Sequence, residues 1–198
     1  PCGGGRRCHP WQTDVMDSPG WSTVSSREAY ANQWIRVLHD DVIRPDGTPG
    51  IYGVLELRAP AVFVVAIDDE DRVLLVHLNR YTTGPGWEIP AGGSDGEDPF
   101  VAGQRELLEE TGVVATSWQR IGDVVALNGI ARAPGIILLA QDLHVPVLGG
   151  GGAAEEGITG TQFVEWSELG ELIAAGEIRD SETLAALTSA AVAMGRWG

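Results

Sequence analysis

A helix with both ends marked lies near the middle of the chain. From Trp87 to Val113 the sequence runs Trp-Glu-Ile-Pro-Ala-Gly-Gly-Ser-Asp-Gly-Glu-Asp-Pro-Phe-Val-Ala-Gly-Gln-Arg-Glu-Leu-Leu-Glu-Glu-Thr-Gly-Val. That order predicts a strand, a glycine-rich loop and a short helix. Asp98 is an N-cap whose side chain accepts from the orphan amides of the first turn. Pro99 follows where a missing N–H costs nothing, and Gly112 suits the left-handed residue that ends a helix.

Stepped at about 100° per residue, the helix separates into two faces. Phe100, Val101, Leu107 and Leu108 are expected to pack, while Glu106, Glu109 and Glu110 converge as i, i+3 and i+4 neighbours. Clustered carboxylates repel one another, so a positive charge should sit among them. A hard divalent cation, Mg2+ or Mn2+, prefers oxygen ligands and keeps waters and substrate phosphates in its shell. Glutamates on a helix are commonly no more than a solvated face. Here a glycine-rich turn precedes them, Glu97 lies near the helix start, and Arg105 is placed to hold one carboxylate by a bidentate bond.

In these residues the chain resembles the Nudix hydrolase family, whose box is Gly-x5-Glu-x7-Arg-Glu-U-x-Glu-Glu-x-Gly-U, with U a bulky aliphatic residue. The match is complete from Glu97 to Val113, and only the front departs, with four residues instead of five between Gly92 and Glu97. The resemblance implies an α/β fold, a Nudix-type α/β/α sandwich with a mixed sheet, here carrying a small N-terminal β extension. It implies divalent metal held by Glu106, Glu110 and Glu109 with the Ala91 carbonyl as a further ligand. Arg105 would orient the acidic cluster, and Glu97 would pair with Arg105 or touch the outer metal shell.

The chain of 198 residues, 43% hydrophobic, can bury the core of one ordinary domain with a small addition. The expected division is a tail over 1–25, a β extension over 26–58 that serves dimerisation, and a catalytic domain over 59–198. Cys2 and Cys8, the two cysteines, both fall in the tail beside Gly3-Gly4-Gly5 and make a poor zinc site. A net charge of −15 argues against a nucleic-acid surface, because neutralising phosphates takes clustered Lys and Arg. The apolar runs Ala61 to Ile67 and Ile136 to Ala140 are too short to span a bilayer, and no secretory leader is evident. A cytoplasmic protein is the expectation.

Along the chain, strands are expected at Ala31 to Val42, Ile51 to Leu57, Ala61 to Ile67 and Val73 to Leu78, with Pro45-Asp46-Gly47 as a turn. After the box come strands at Ser117 to Leu127, Gly135 to Ala140 and Gln162 to Trp166, with a loop from Asn128 to Pro134. Ser167 is expected to cap a helix through Ala174, and Asp180 or Ser181 a last helix to about Met194. Arg80, at a strand end before Gly84-Pro85-Gly86, is placed to bridge phosphate oxygens. Tyr81, Trp34 and Arg58 are weaker candidates for gripping a nucleoside. The run Gly149-Gly150-Gly151-Gly152-Ala153-Ala154-Glu155-Glu156-Gly157 is either a linker or a loop that brings a carboxylate over the metal once substrate binds.

The resemblance extends to the branch of Nudix enzymes that cleave ADP-ribose. That branch implies an arginine such as Arg80 on the diphosphate and a general base from Glu155 or Glu156, although other branches take the base from within the box. It also implies a homodimer completed by the N-terminal strands. The expected reaction is hydrolysis of ADP-ribose, or a related nucleoside diphosphate sugar, to a nucleoside monophosphate and a sugar phosphate. Alternatives are a nucleoside triphosphate pyrophosphohydrolase and a non-catalytic nucleotide sensor.

Overall fold

The computed structural model describes residues 20–144 and 157–197. They form two compact units, one of residues 20–60 with 127–134 and one of residues 61–126 with 135–144 and 157–197.

The first unit is an antiparallel meander of β1 (Ser22–Ala31), β2 (Ile35–Ile43) and β3 (Pro49–Leu57). Its burial follows the two-residue period of a strand, with Leu38, Asp40 and Val42 inside on β2. The Asp40 carboxylate, buried among these strands, accepts a hydrogen bond from the Ser26 hydroxyl at 2.5 Å. At the Pro45-Asp46-Gly47 turn the Asp46 carboxylate accepts from the Thr48 amide at 2.9 Å, an Asx turn that closes the hairpin. Glu56 ties the sheet together, accepting a fork from Arg36 at 3.0 and 2.6 Å and a bond from Arg132 at 3.1 Å.

Three expectations are corrected here. The first strand among the described residues, β1, begins at Ser22, so the last four residues of the tail expected over 1–25 lie in a strand. The single strand expected over Ala31 to Val42 is the end of β1, a turn and β2. In that turn the Asn32 carboxamide accepts from the Trp34 and Ile35 amides, each at 2.9 Å, and stops strand pairing. The loop expected over Asn128 to Pro134 contains β9 (Ala131–Arg132), which runs parallel to β3 and takes up its outer edge; the Leu55 amide donates to the Ile130 carbonyl at 2.9 Å.

The second unit carries the box. β4 (Ala61–Ala66) lies between β10 (Pro134–His144), to which it is parallel, and the short antiparallel β7 (Ala91–Gly93); β8 (Val114–Val125) borders β10. A second, antiparallel sheet has β5 (Arg72–Arg80) at its centre, β11 (Ile158–Glu165) on one side and β6 (Gly84–Glu88) on the other. The central strands read as unbroken apolar runs because they are covered on both faces. Val65, Ile67, Leu75, Ile137 and Leu139 meet Leu169 of α2 (Trp166–Ala174) and Ala186, Leu187 and Ala190 of α3 (Ser181–Ala193). The alternate residues Val64, Ala66, Leu74 and Ala140 meet Leu107 of α1 (Pro99–Thr111). Helix, sheet and helix thus form three layers, a mixed α/β sandwich.

The helix ends follow local chemistry. The Asp98 side chain accepts from the Phe100 amide, Pro99 opens α1, and Gly112 closes it at φ +71° with its amide donating to the Leu108 carbonyl. Asp180 caps α3 by accepting from the Thr183 amide. α2 departs from expectation: its N-cap is Glu165, with no side-chain capping bond, and Ser167 lies inside the first turn. The chain runs from β11 straight into that helix and leaves no loop residue to cap it.

Candidate active site

The loop after β6, β7 and α1 bring the box residues together. α1 does not bury the face that its periodicity suggested. Ala102, Gly103, Glu106, Leu107 and Glu110 are inside, while Val101 and Leu108 are exposed. Glu106 and Glu110, one turn apart, are 5% and 3% exposed, so two carboxylates sit under the β7 segment in place of a solvated acidic face. Burying carboxylates is costly unless positive charge or strong donors meet them.

Part of that compensation comes from the backbone and from Arg105. The Ala91 amide donates to Glu110 Oε2 at 3.1 Å. Arg105 donates through Nη1 to Glu106 at 2.7 Å and to Glu109 at 3.3 Å, through Nε to Glu97 at 3.1 Å, and through Nη2 to the Gly93 carbonyl at 2.9 Å. Partial burial of this guanidinium disfavours its charge, but the bonds to Glu97 and Glu106 outweigh that and hold its pKa above the ordinary arginine value. Arg105 therefore stitches the loop to the helix, through bonds shared among Glu97, Glu106 and Glu109 instead of the bidentate hold on one carboxylate expected from the sequence. Glu109, with its side chain 45% exposed, lies at the outer margin of the cluster.

Gly92 is what makes room for this arrangement. A Cβ there would collide with the carboxylate of Glu106. The backbone of β7 thus lies directly on a metal-ligating type of side chain, and any larger residue at Gly92 would push the Glu106 carboxylate aside.

Among the described residues no three Asp, Glu, His or Cys side chains are gathered into a ready-made ligand set. A hard cation that keeps waters and substrate phosphates needs only one or two protein carboxylates. Glu106 and Glu110 supply two, buried side by side against a cradle that a Cβ would fill. That donor set fits a divalent ion, with Glu109 and Glu97 within one arginine of it.

Arg80 ends β5 and is held by Glu88 of β6, Nη2 to Oε2 at 2.8 Å. Burial disfavours its charge, yet Glu88, with weaker help from Glu110 and Asp180, keeps its pKa raised. Glu88 was not anticipated from the sequence; the β5–β6 hairpin that brings it back to Arg80 is its only signal. Tyr81 is fully exposed at the hairpin tip. In the first unit, Trp34 is exposed in the β1–β2 turn and Arg58 is exposed just after β3, its amide donating to the Trp34 carbonyl at 2.9 Å. Glu155 and Glu156 lie outside the described residues. No helix among the described residues is long and apolar enough to cross a membrane.

Comparison with known proteins agrees with the box and extends beyond it. The model of the nucleoside diphosphate sugar hydrolase N-terminal domain matches residues 21–55, the region of β1 to β3. An ADP-ribose pyrophosphatase of Mycobacterium tuberculosis is 33% identical over 132 residues, 65% of this chain and 63% of that protein's length. A CMP-5'-(N-acetyl-N-hydroxy-3-aminopropyl)phosphonate hydrolase of Streptomyces rubellomurinus is 28% identical over 172 residues, 85% of this chain and 79% of the relative. The crystal structure of an ADP compounds hydrolase shares the fold with a TM-score of 0.75 at 20% identity, covering 89% of this chain and 97% of that one. Nudix hydrolases generally use divalent metal ions, which accords with the buried carboxylate pair on α1. The NUDIX domain model matches residues 57–187, from the end of β3 into α3, and the chain belongs to the Nudix family.

Proposed function

We propose that this protein hydrolyses the diphosphate of ADP-ribose, or of a related nucleoside diphosphate sugar, to a nucleoside monophosphate and a sugar phosphate. The observation that carries the substrate class is the N-terminal module: residues 21–55 match that of nucleoside diphosphate sugar hydrolases and fold as a sheet ahead of the box. The ADP-ribose pyrophosphatase relative supports the same reading. A homodimer formed through the N-terminal strands and a cytoplasmic location, without nucleic-acid partners, complete the proposal.

Glu106 and Glu110, with the Ala91 carbonyl and the outer carboxylates Glu109 and Glu97, would hold Mg2+ or Mn2+. Bound there, the ion would neutralise charge on the diphosphate and lower the pKa of a coordinated water. Arg105 holds the loop and Glu106 in place before substrate arrives. Arg80, already charged and steadied by Glu88, would meet the diphosphate oxygens. Glu155 or Glu156 would accept the proton of the attacking water. Trp34, Arg58 and Tyr81 are exposed and would serve the nucleoside end.

The test is incubation of pure protein with Mg2+ or Mn2+ and a panel of ADP-ribose, nucleotide sugars, dinucleoside polyphosphates and nucleoside triphosphates, with released products measured. Fast release of AMP from ADP-ribose alone is expected. Preference for a triphosphate would replace this function with pool cleaning, and binding without turnover would replace it with nucleotide sensing.

The Gly92 cradle gives a sharper local prediction. Gly92→Ala should cost about 1–3 kcal/mol of stability, the usual range for overpacking, and lower metal-dependent turnover by displacing the Glu106 carboxylate. Chemical denaturation and turnover measured together check it; parent values for both would mean that β7 has slack.

A further inference from the structure

β6 is the edge strand of its sheet, with β5 on one side only. Its other side is covered by the connection between α2 and α3, which behaves as a surrogate strand. The Trp87 amide donates to the Glu177 carbonyl at 2.9 Å. Arg179 donates through Nη2 to the Thr83 carbonyl at 2.5 Å and to the Pro85 carbonyl at 3.2 Å. The last contact is a side chain: the Ile89 amide donates to Thr183 Oγ1 at 3.3 Å.

Thr183 and Ile89 are each 1% exposed, so water cannot replace either partner of that bond. Ile89 stands between two site residues. Glu88, which pairs with Arg80, precedes it, and Ala91, whose amide binds Glu110, follows two residues later. On the other side of this short segment the Pro90 carbonyl accepts from the Val64 amide at 2.8 Å. The segment from Glu88 to Ala91 is therefore pinned from α3 on one flank and from β4 on the other. Thr183 is itself fixed, because its amide is the one that Asp180 caps at 2.7 Å.

We propose that Thr183 is a positioning residue of the metal site, acting through the Ile89 amide to set where Ala91 meets Glu110. This rests on Glu110 as a metal ligand, the reading given above. Without the hydroxyl, the buried Ile89 N–H has no acceptor, and the segment must shift or open to find one. Ala91 moves with it, and the carboxylate that its amide orients is no longer held for the ion.

The experiment is direct Mn2+ titration of the whole protein by electron paramagnetic resonance, without substrate and well below the melting temperature. Thr183→Val keeps the shape and removes the acceptor; it should weaken Mn2+ binding by about tenfold, the lower end for losing a partner that orients a ligand. Thr183→Ser, which keeps the hydroxyl, should restore tight binding. Should the valine variant not fold, Thr183→Ala, which also removes the acceptor, carries the same expectation. Glu110→Gln is the control. Parent-like Mn2+ binding in that control would overturn the metal assignment itself. Weakened binding in the control with parent-like binding in Thr183→Val or Thr183→Ala would overturn only the positioning role, leaving Thr183 as a stabilising contact.

Discussion

Glu110→Gln is expected to lower metal-dependent turnover by at least about a hundredfold, the upper end seen for mere outer-shell partners of a metal, while the protein stays folded. The carboxylate is 3% exposed and lies on the face of α1 that packs beneath β7. Gln has the same length and keeps an oxygen for the Ala91 amide, which donates at 3.1 Å. What it removes is the negative charge that a hard divalent cation binds. Burying a neutral amide that keeps its hydrogen bond costs less than burying a charge, so thermal melting should stay near that of the parent. Turnover measured across a range of Mg2+ or Mn2+ concentrations, with melting in parallel, checks both halves. Activity near the parent level would remove Glu110 from the metal shell.

Changing Glu155 and Glu156 together to Gln should lower turnover by about a hundred- to ten-thousandfold, the range for a lost general base. The two substitutions differ in kind. The Glu110 variant alters how the protein takes metal, whereas the Glu155 and Glu156 pair should leave Mn2+ binding unchanged and affect only the proton transfer. The same double variant should lose the acidic limb of the pH–rate profile that a titrating base produces. Rates like those of the parent would return the base to the box, where Glu109 is the carboxylate at the open margin of the cluster.

The stretch that carries these predictions was readable residue by residue. Asp98, Pro99 and Gly112 each act within one turn of the helix they bound, and such short-range chemistry does not depend on the rest of the fold. The cap of α3 was narrowed to Asp180 or Ser181 for the same reason, and Asp180 holds it. Arg105 was assigned to the acidic cluster because its partners Glu106 and Glu109 are helix neighbours and Glu97 lies in the loop just before. The apolar runs of β4, β5 and β10 were readable as strands, and the structure covers them on both faces.

Where partners come from distant parts of the chain, the sequence was mute or misleading. Helical periodicity put Val101 and Leu108 on the packed face, yet the structure exposes them and buries Glu106 and Glu110. A periodic pattern records hydrophobicity, and it has no way to register that Gly92 leaves a cradle for a carboxylate or that an amide waits above it. β9 is too short to signal a strand, and it becomes one only because β3 presents an unpaired edge. Glu88 finds Arg80 through a hairpin, and Thr183 reaches Ile89 across 94 positions of sequence. The sequence by itself determined the helix, its caps and the set of acids on it, since those follow from interactions between residues a few positions apart. Only the tertiary structure decided which acids are buried and what holds them, because hydrogen-bond partners and excluded water are properties of the packed chain.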